Sequence, residues 1–73
     1  MPPDKLAYMA NQIGRFFAHQ PRDKAVQSIA QHLRLFWDPR MRRDLLAHLE
    51  SVELSPLVRE AATLLKQEAT SAG

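Results

Sequence analysis

The chain has 73 residues, 45% of them hydrophobic and 25% charged, with no cysteine and a net charge of +2. One small soluble domain of this size buries only about 60% of its unfolded surface, so its core is marginal and association with a partner is in prospect from the start. Without thiols there is no disulfide, thiolate zinc site, iron–sulfur cluster or cysteine nucleophile, and the charge balance is too even to select a polyanion or a polycation.

Prolines punctuate the chain into four helical segments, because proline suits the first helical position and lacks the amide that would be left unsatisfied there. The first helix is expected over residues 4–19, with Leu6, Met9, Ala10, Ile13, Phe16 and Phe17 on one core-facing stripe about 120° wide. Gly14 reads as a close-packing point in that helix. The second, over 22–37, repeats the spacing with Val26, Ile29, Ala30, Leu33, Phe36 and Trp37, each twenty positions after its counterpart. A shared helical period and a duplication both account for that likeness, and both predict a helical hairpin.

The third helix, over 39–52, gathers Met41, Leu45, Leu49 and Val52, and the fourth, over 56–69, gathers Leu57, Val58, Ala61, Leu64 and Leu65. Asp38-Pro39 and Ser55-Pro56 are the sharpest boundaries, since Asp and Ser cap free amides. Gln20-Pro21 is weaker, because glutamine caps poorly. Residues 70–73, small and polar, are expected to form a disordered tail. The fold class is therefore all-α, a small bundle of four short helices in two hairpins, with no sheet and no second domain.

A search for chemistry finds no catalytic, cofactor-binding or metal site. His19, His32 and His48 fall on three different segments, whereas histidine ligands usually share one helix face. His48, one turn after Asp44, reads as an ordinary intrahelical pair. No serine sits in a strand-turn-helix elbow, and with Gly14 and Gly73 as the only glycines no phosphate-cradling loop can be built. A domain this small also leaves little volume for a pocket of roughly 300 Å3 or more.

The segment Leu35-Phe36-Trp37-Asp38-Pro39-Arg40-Met41-Arg42-Arg43-Asp44 is the most informative. Three arginines at a helix amino terminus oppose the macrodipole by about 0.3–1 kcal/mol each, so Arg40, Arg42 and Arg43 are expected either to contact an acidic partner or to be neutralised by Asp38 and Asp44. Trp37 is expected in the core with its indole N–H at a carbonyl or the edge. Tyr8 and Leu35 lie about 160–180° from the core centres of their helices and, if they cluster with Leu46, make a docking patch.

Three stretches resemble the delta subunit family of the soluble, NAD-dependent, molybdenum- or tungsten-containing formate dehydrogenases: Lys5-Leu-Ala-Tyr-Met-Ala-Asn-Gln-Ile, His32-Leu-Arg-Leu-Phe-Trp-Asp-Pro-Arg-Met-Arg, and Leu46-Ala-His-Leu. The run from Phe36 to Arg42 is the specific part; the leucine pattern fits many bundles. The resemblance implies a small non-catalytic accessory subunit of a cytoplasmic enzyme that oxidises formate and passes the electrons to NAD. It places molybdopterin, iron–sulfur, flavin and NAD on partner subunits and none in this chain. It gives no catalytic residue to carry over. The docking residues expected from the whole reading are Tyr8, Leu35, Trp37, Asp38, Arg40, Arg42 and Arg43, with the catalytic subunit as partner.

Two other readings fit the same pattern. In one, the second and third helices form a helix-turn-helix with the arginines on phosphate; low net charge and the interrupting Asp38 and Asp44 count against nucleic acid. In the other, the isolated bundle self-associates as a homodimer to cover spare apolar surface. No apolar run approaches the roughly 20 residues needed to span a bilayer, and Met1-Pro2-Pro3-Asp4-Lys5 lacks the features of a secretory signal. No membrane association and a cytoplasmic location are expected, and the lack of cysteine agrees with a reducing compartment.

Overall fold

The amphipathic segments become four helices, α1 (Pro3–Phe17), α2 (Arg22–Phe36), α3 (Pro39–Ala47) and α4 (Pro56–Ser71), in a computed structural model that describes residues 1–71. There is no strand among the described residues. The radius of gyration is 11.1 Å, close to the roughly 11 Å of a chain this long folded on one core. α2 packs most extensively on α4, and α1 touches all three other helices. Pairing is thus not confined to neighbours in sequence.

Local sequence explains most boundaries. Pro3 opens α1 at a position where its missing amide costs nothing. The Asp38 carboxylate accepts from the amides of Arg40 (2.8 Å) and Met41 (3.1 Å) and caps α3 as expected. α1 stops at Phe17 and α2 at Phe36, slightly inside the expected ends. α4 runs through Ser71, two residues past its expected end, and the rest of the expected disordered tail, residues 72 and 73, lies outside the described residues.

α3 departs most from expectation, ending at Ala47 rather than near residue 52. Leu45, Leu49 and Val52 are all buried as their spacing predicts, but the last two reach the core from turns. A guanidinium from α4 takes the carbonyls a longer helix would use: Arg59 donates to Leu49 O (2.7 Å) and Val52 O (3.0 Å). Asn11 of α1 holds the next stretch, its Nδ2 donating to Glu53 O and its Oδ1 accepting from Ser55 N, both at 2.9 Å.

The core is built from Leu6, Ile29, Leu33, Leu45 and Val58, all essentially inaccessible, with a set of alanines between them. In α1 the buried residues are Leu6, Ala7, Ala10 and Gly14. That face is rotated roughly 70° from the large-residue stripe read from sequence, because close approach to α4 selects the small side chains. A Cβ on Gly14 would collide with the Val58 side chain. Phe16 therefore is not a core residue: it is 72% exposed, as is its counterpart Phe36.

Candidate functional site

Turning α1 on its small residues leaves its large apolar side chains beside the core instead of in it. Met9, Ile13 and Phe17 are half-buried against the core and Phe16 is exposed. They meet the last turns of α2 in a row of rings. Phe16 and Phe17 stand edge to face with centroids 5.0 Å apart, Phe17 lies 6.3 Å from His32, and His32 lies 4.8 Å from Phe36. Edge and tilted arrangements at these separations are favourable for aromatic pairs.

Two clefts of about 450 Å3 open on this row and share Phe17 and His32. Met9, Gln12, Ile13, Phe16 and Trp37 complete one, and Gln27, Ser28, Gln31, Leu35 and Phe36 complete the other. No aspartate, glutamate, lysine or arginine lines either. Clefts larger than the roughly 300 Å3 of a ligand pocket therefore exist on this small domain, contrary to the sequence expectation, but as open surface depressions.

The expected docking residues do not form one patch. Leu35 is 65% exposed and lines the aromatic face. Tyr8 is 62% exposed and lines a different cleft, with Asp4, Ala7, Asn11, Ser51 and Glu53; its hydroxyl accepts from Gln12 Nε2 at 3.1 Å. Leu46 belongs to a third cleft with Arg34, Arg42 and Arg43. Trp37 is 6% exposed, a core residue that shows an edge to the aromatic cleft, and Asp38 is the α3 cap.

The arginines have unlike fates. Arg42 Nη1 donates to Trp37 O (2.6 Å), Arg34 O (2.9 Å) and Leu33 O (3.2 Å), closing the carboxy-terminal end of α2 where carbonyls lack helical partners. A cation there is favoured by the dipole of α2, which explains a charge that the amino terminus of α3 disfavours. Arg40 and Arg43 are exposed, with no side-chain hydrogen bond or ion pair among the described residues. Asp38 and Asp44 make no ion pair with them among the described residues, and Asp38 Oδ1 accepts from backbone amides instead.

The histidines finish helices or join the aromatic row. His19 Nδ1 lies 3.1 Å from Phe16 O, and His48 Nδ1 lies 2.8 Å from Asp44 O. The expected His48–Asp44 side-chain pair is therefore a ring-to-carbonyl contact, because α3 has ended and its last carbonyls need partners. Among the described residues no three His, Asp or Glu are placed to hold a metal ion, and no helix is long and apolar enough to cross a membrane.

Sequence reasoning missed Phe16 and Phe36 as surface residues and Asn11 and Arg59 as clamps. The signal for the first was present: Ala7, Ala10 and Gly14 are small residues at helical spacing, and they compete with the larger stripe for the core.

Fold and surface together define a class, a small all-α domain that presents a continuous apolar, ring-rich face. The chain belongs to the family described as NADH-dependant formate dehydrogenase delta subunit FdsD, whose family model matches residues 5–62. No curated protein and no solved structure matched it.

Proposed function

We propose that this chain is a non-catalytic accessory subunit that docks on the catalytic subunit of a cytoplasmic NAD-dependent formate dehydrogenase and supports assembly, cofactor insertion or stability of the complex. The observation that carries it is the exposed face around Phe16, Leu35 and Phe36, on a chain whose family is that of a subunit. Each such side chain forgoes about 1.5–3 kcal/mol of burial while exposed, and a folded partner recovers it. Binding to the folded partner alone raises that partner's stability by mass action. Molybdopterin, iron–sulfur, flavin and NAD sites are assigned to the partner subunits, and the cysteine-free chain brings no thiolate to a cluster.

The nucleic-acid reading is the weaker one. Arg42 is engaged by the end of α2 and Arg34 by Glu68, which leaves Arg40 and Arg43 as a thin footprint for phosphate.

The test is affinity capture of this chain from its own cells, with mass spectrometry of the eluate and a formate-to-NAD assay. Recovery of a large molybdopterin subunit with that activity is expected; recovery of nucleic acid alone or of the chain alone overturns the reading. Removing the chain then separates the roles. Lower metal content per catalytic subunit indicates cofactor insertion, and unchanged content with faster thermal inactivation indicates stabilisation.

A further inference from the structure

The charge map of the surface sorts its clefts. Asp4 and Glu53 line one cleft and Asp23 and Glu60 another, with Arg22 held to Glu60 at 2.9 Å. Arg34, Arg42 and Arg43 line a third beside Leu46 and Leu65, with Glu68 as its one carboxylate. The two aromatic clefts carry no formal charge, and the basic cleft is their neighbour: Gln31 lines one aromatic cleft and its Oε1 accepts from Arg34 Nη1 at 2.8 Å. Arg34 is in turn fixed by two bonds to Glu68, at 3.0 and 2.8 Å. An apolar face thus runs into a basic edge at one end, where Arg40 and Arg43 follow Trp37 closely in the chain and have no side-chain partner among the described residues.

Resting on the subunit reading above, we infer that this face receives one amphipathic helix of the catalytic subunit, its apolar side over Phe16, Leu35 and Phe36 and a carboxylate-bearing flank against Arg40 and Arg43. Three features select that occupant. The two depressions lie either side of the shared Phe17–His32 pair, which suits side chains one or two helical turns apart, about 5.4 Å per turn. The described residues offer no sheet edge for an added strand. Charge complementarity requires acidic groups beside the basic edge. A second copy is the rival occupant, and the crosslinks below separate it from a helix of the catalytic subunit.

Formate dehydrogenase purified from cells lacking this chain is the probe, titrated with fluorescently labelled wild-type chain and variants. Phe36→Ser is expected to weaken binding by about tenfold or more at every salt concentration, as loss of a buried aromatic anchor does. Arg40→Glu with Arg43→Glu is expected to do so at about 50 mM salt and much less at about 500 mM. Tyr8→Ser, exposed in the acidic cleft, is the control and stays within about twofold. A benzophenone photo-crosslinker in place of Phe36 should mark one segment of the catalytic subunit at helical spacing, with Asp or Glu beside it.

Wild-type affinity in Phe36→Ser, equal loss in Tyr8→Ser, a salt-independent defect in the arginine variant, or crosslinks to a second copy or to non-helical spacing each overturns the inference while leaving the subunit reading intact. Failure of wild-type chain to bind the enzyme at all overturns both. Phe36 is 72% exposed, so an unchanged thermal midpoint of Phe36→Ser shows that the variant reads docking and not folding.

Discussion

Gly14 lies where α1 crosses α4, and a methyl group there meets a side chain that cannot swing away. Its nearest neighbour is Val58 Cγ2, and valine in a helix is held to essentially one rotamer. Gly14→Ala gains about 1 kcal/mol of helix propensity but overpacks the core, which costs about 1–3 kcal/mol. Both residues are buried, so the steric loss is expected to win by up to about 2 kcal/mol, lowering the melting temperature by about 4–8 °C for each kcal/mol lost. The double variant with Val58→Ala should be more stable than the sum of the two single losses by more than about 0.5 kcal/mol; simple additivity would show that this contact is not the cause. Asn11 is a similar case with polar chemistry. Asn11→Asp keeps an acceptor for Ser55 N but sets a carboxylate oxygen against Glu53 O in place of the donor, and denaturant unfolding is expected to show a loss of about 1–2 kcal/mol. The sequence marked Gly14 as a packing point, because glycine inside a helix invites that reading. It could not mark Asn11, whose partners are remote in the chain and are backbone atoms with no residue signature.

At the scale of elements, arginine carbonyl clamps decide where helices end. Arg42 of α3 finishes α2, and Arg59 of α4 holds the turns after α3. Hydrogen bonds from a charged donor contribute about 1.5–3 kcal/mol, so Arg42→Gln is expected to lower stability by about 1–3 kcal/mol, and Arg40→Gln, exposed and without a side-chain partner among the described residues, by less than about 0.5 kcal/mol. Chemical denaturation of the two variants side by side checks this, and equal stability would remove the clamp from the account. The same comparison locates the limit of sequence reading here. Proline and Asp38 set the starts of helices by local chemistry and were legible, whereas the end of α3 depends on a guanidinium from the next helix. Leu45, Leu49 and Val52 satisfy a helical period and are buried, yet the period is equally satisfied by a short helix followed by turns. The exposure of Leu35 was legible because it opposes its stripe. That of Phe16 and Phe36 was not, because they sit on the stripes; α1 turns onto Ala7, Ala10 and Gly14 and leaves Phe16 outside, while Phe36 ends α2 beyond its last buried residue, Leu33.

For the whole molecule, the residues that hold the fold and those that show the apolar face are largely separate sets. The Arg22–Glu60 ion pair does little for stability: it is well exposed, with side chains 68% and 47% accessible, and such pairs contribute at most about 1 kcal/mol. Stability rests instead on a single core, which at this chain length supplies about 3–5 kcal/mol. Leu33 is fully buried near the end of α2, and truncation of such a leucine costs about 2–5 kcal/mol. Leu33→Ala therefore removes most or all of the margin, and its far-ultraviolet circular dichroism at about 37 °C is expected to show a largely unfolded chain. The pair Leu35→Ser and Phe36→Ser touches neighbouring positions with side chains as large or larger, yet both are mostly in solvent already, and its melting temperature is expected to stay within about 3 °C of wild type. If the serine pair instead melted as far below wild type as Leu33→Ala, the exposed face would be part of the core's support. A chain that kept its fold while losing its apolar face would separate stability from recognition along one helix, since Leu33, Leu35 and Phe36 all belong to the last turns of α2.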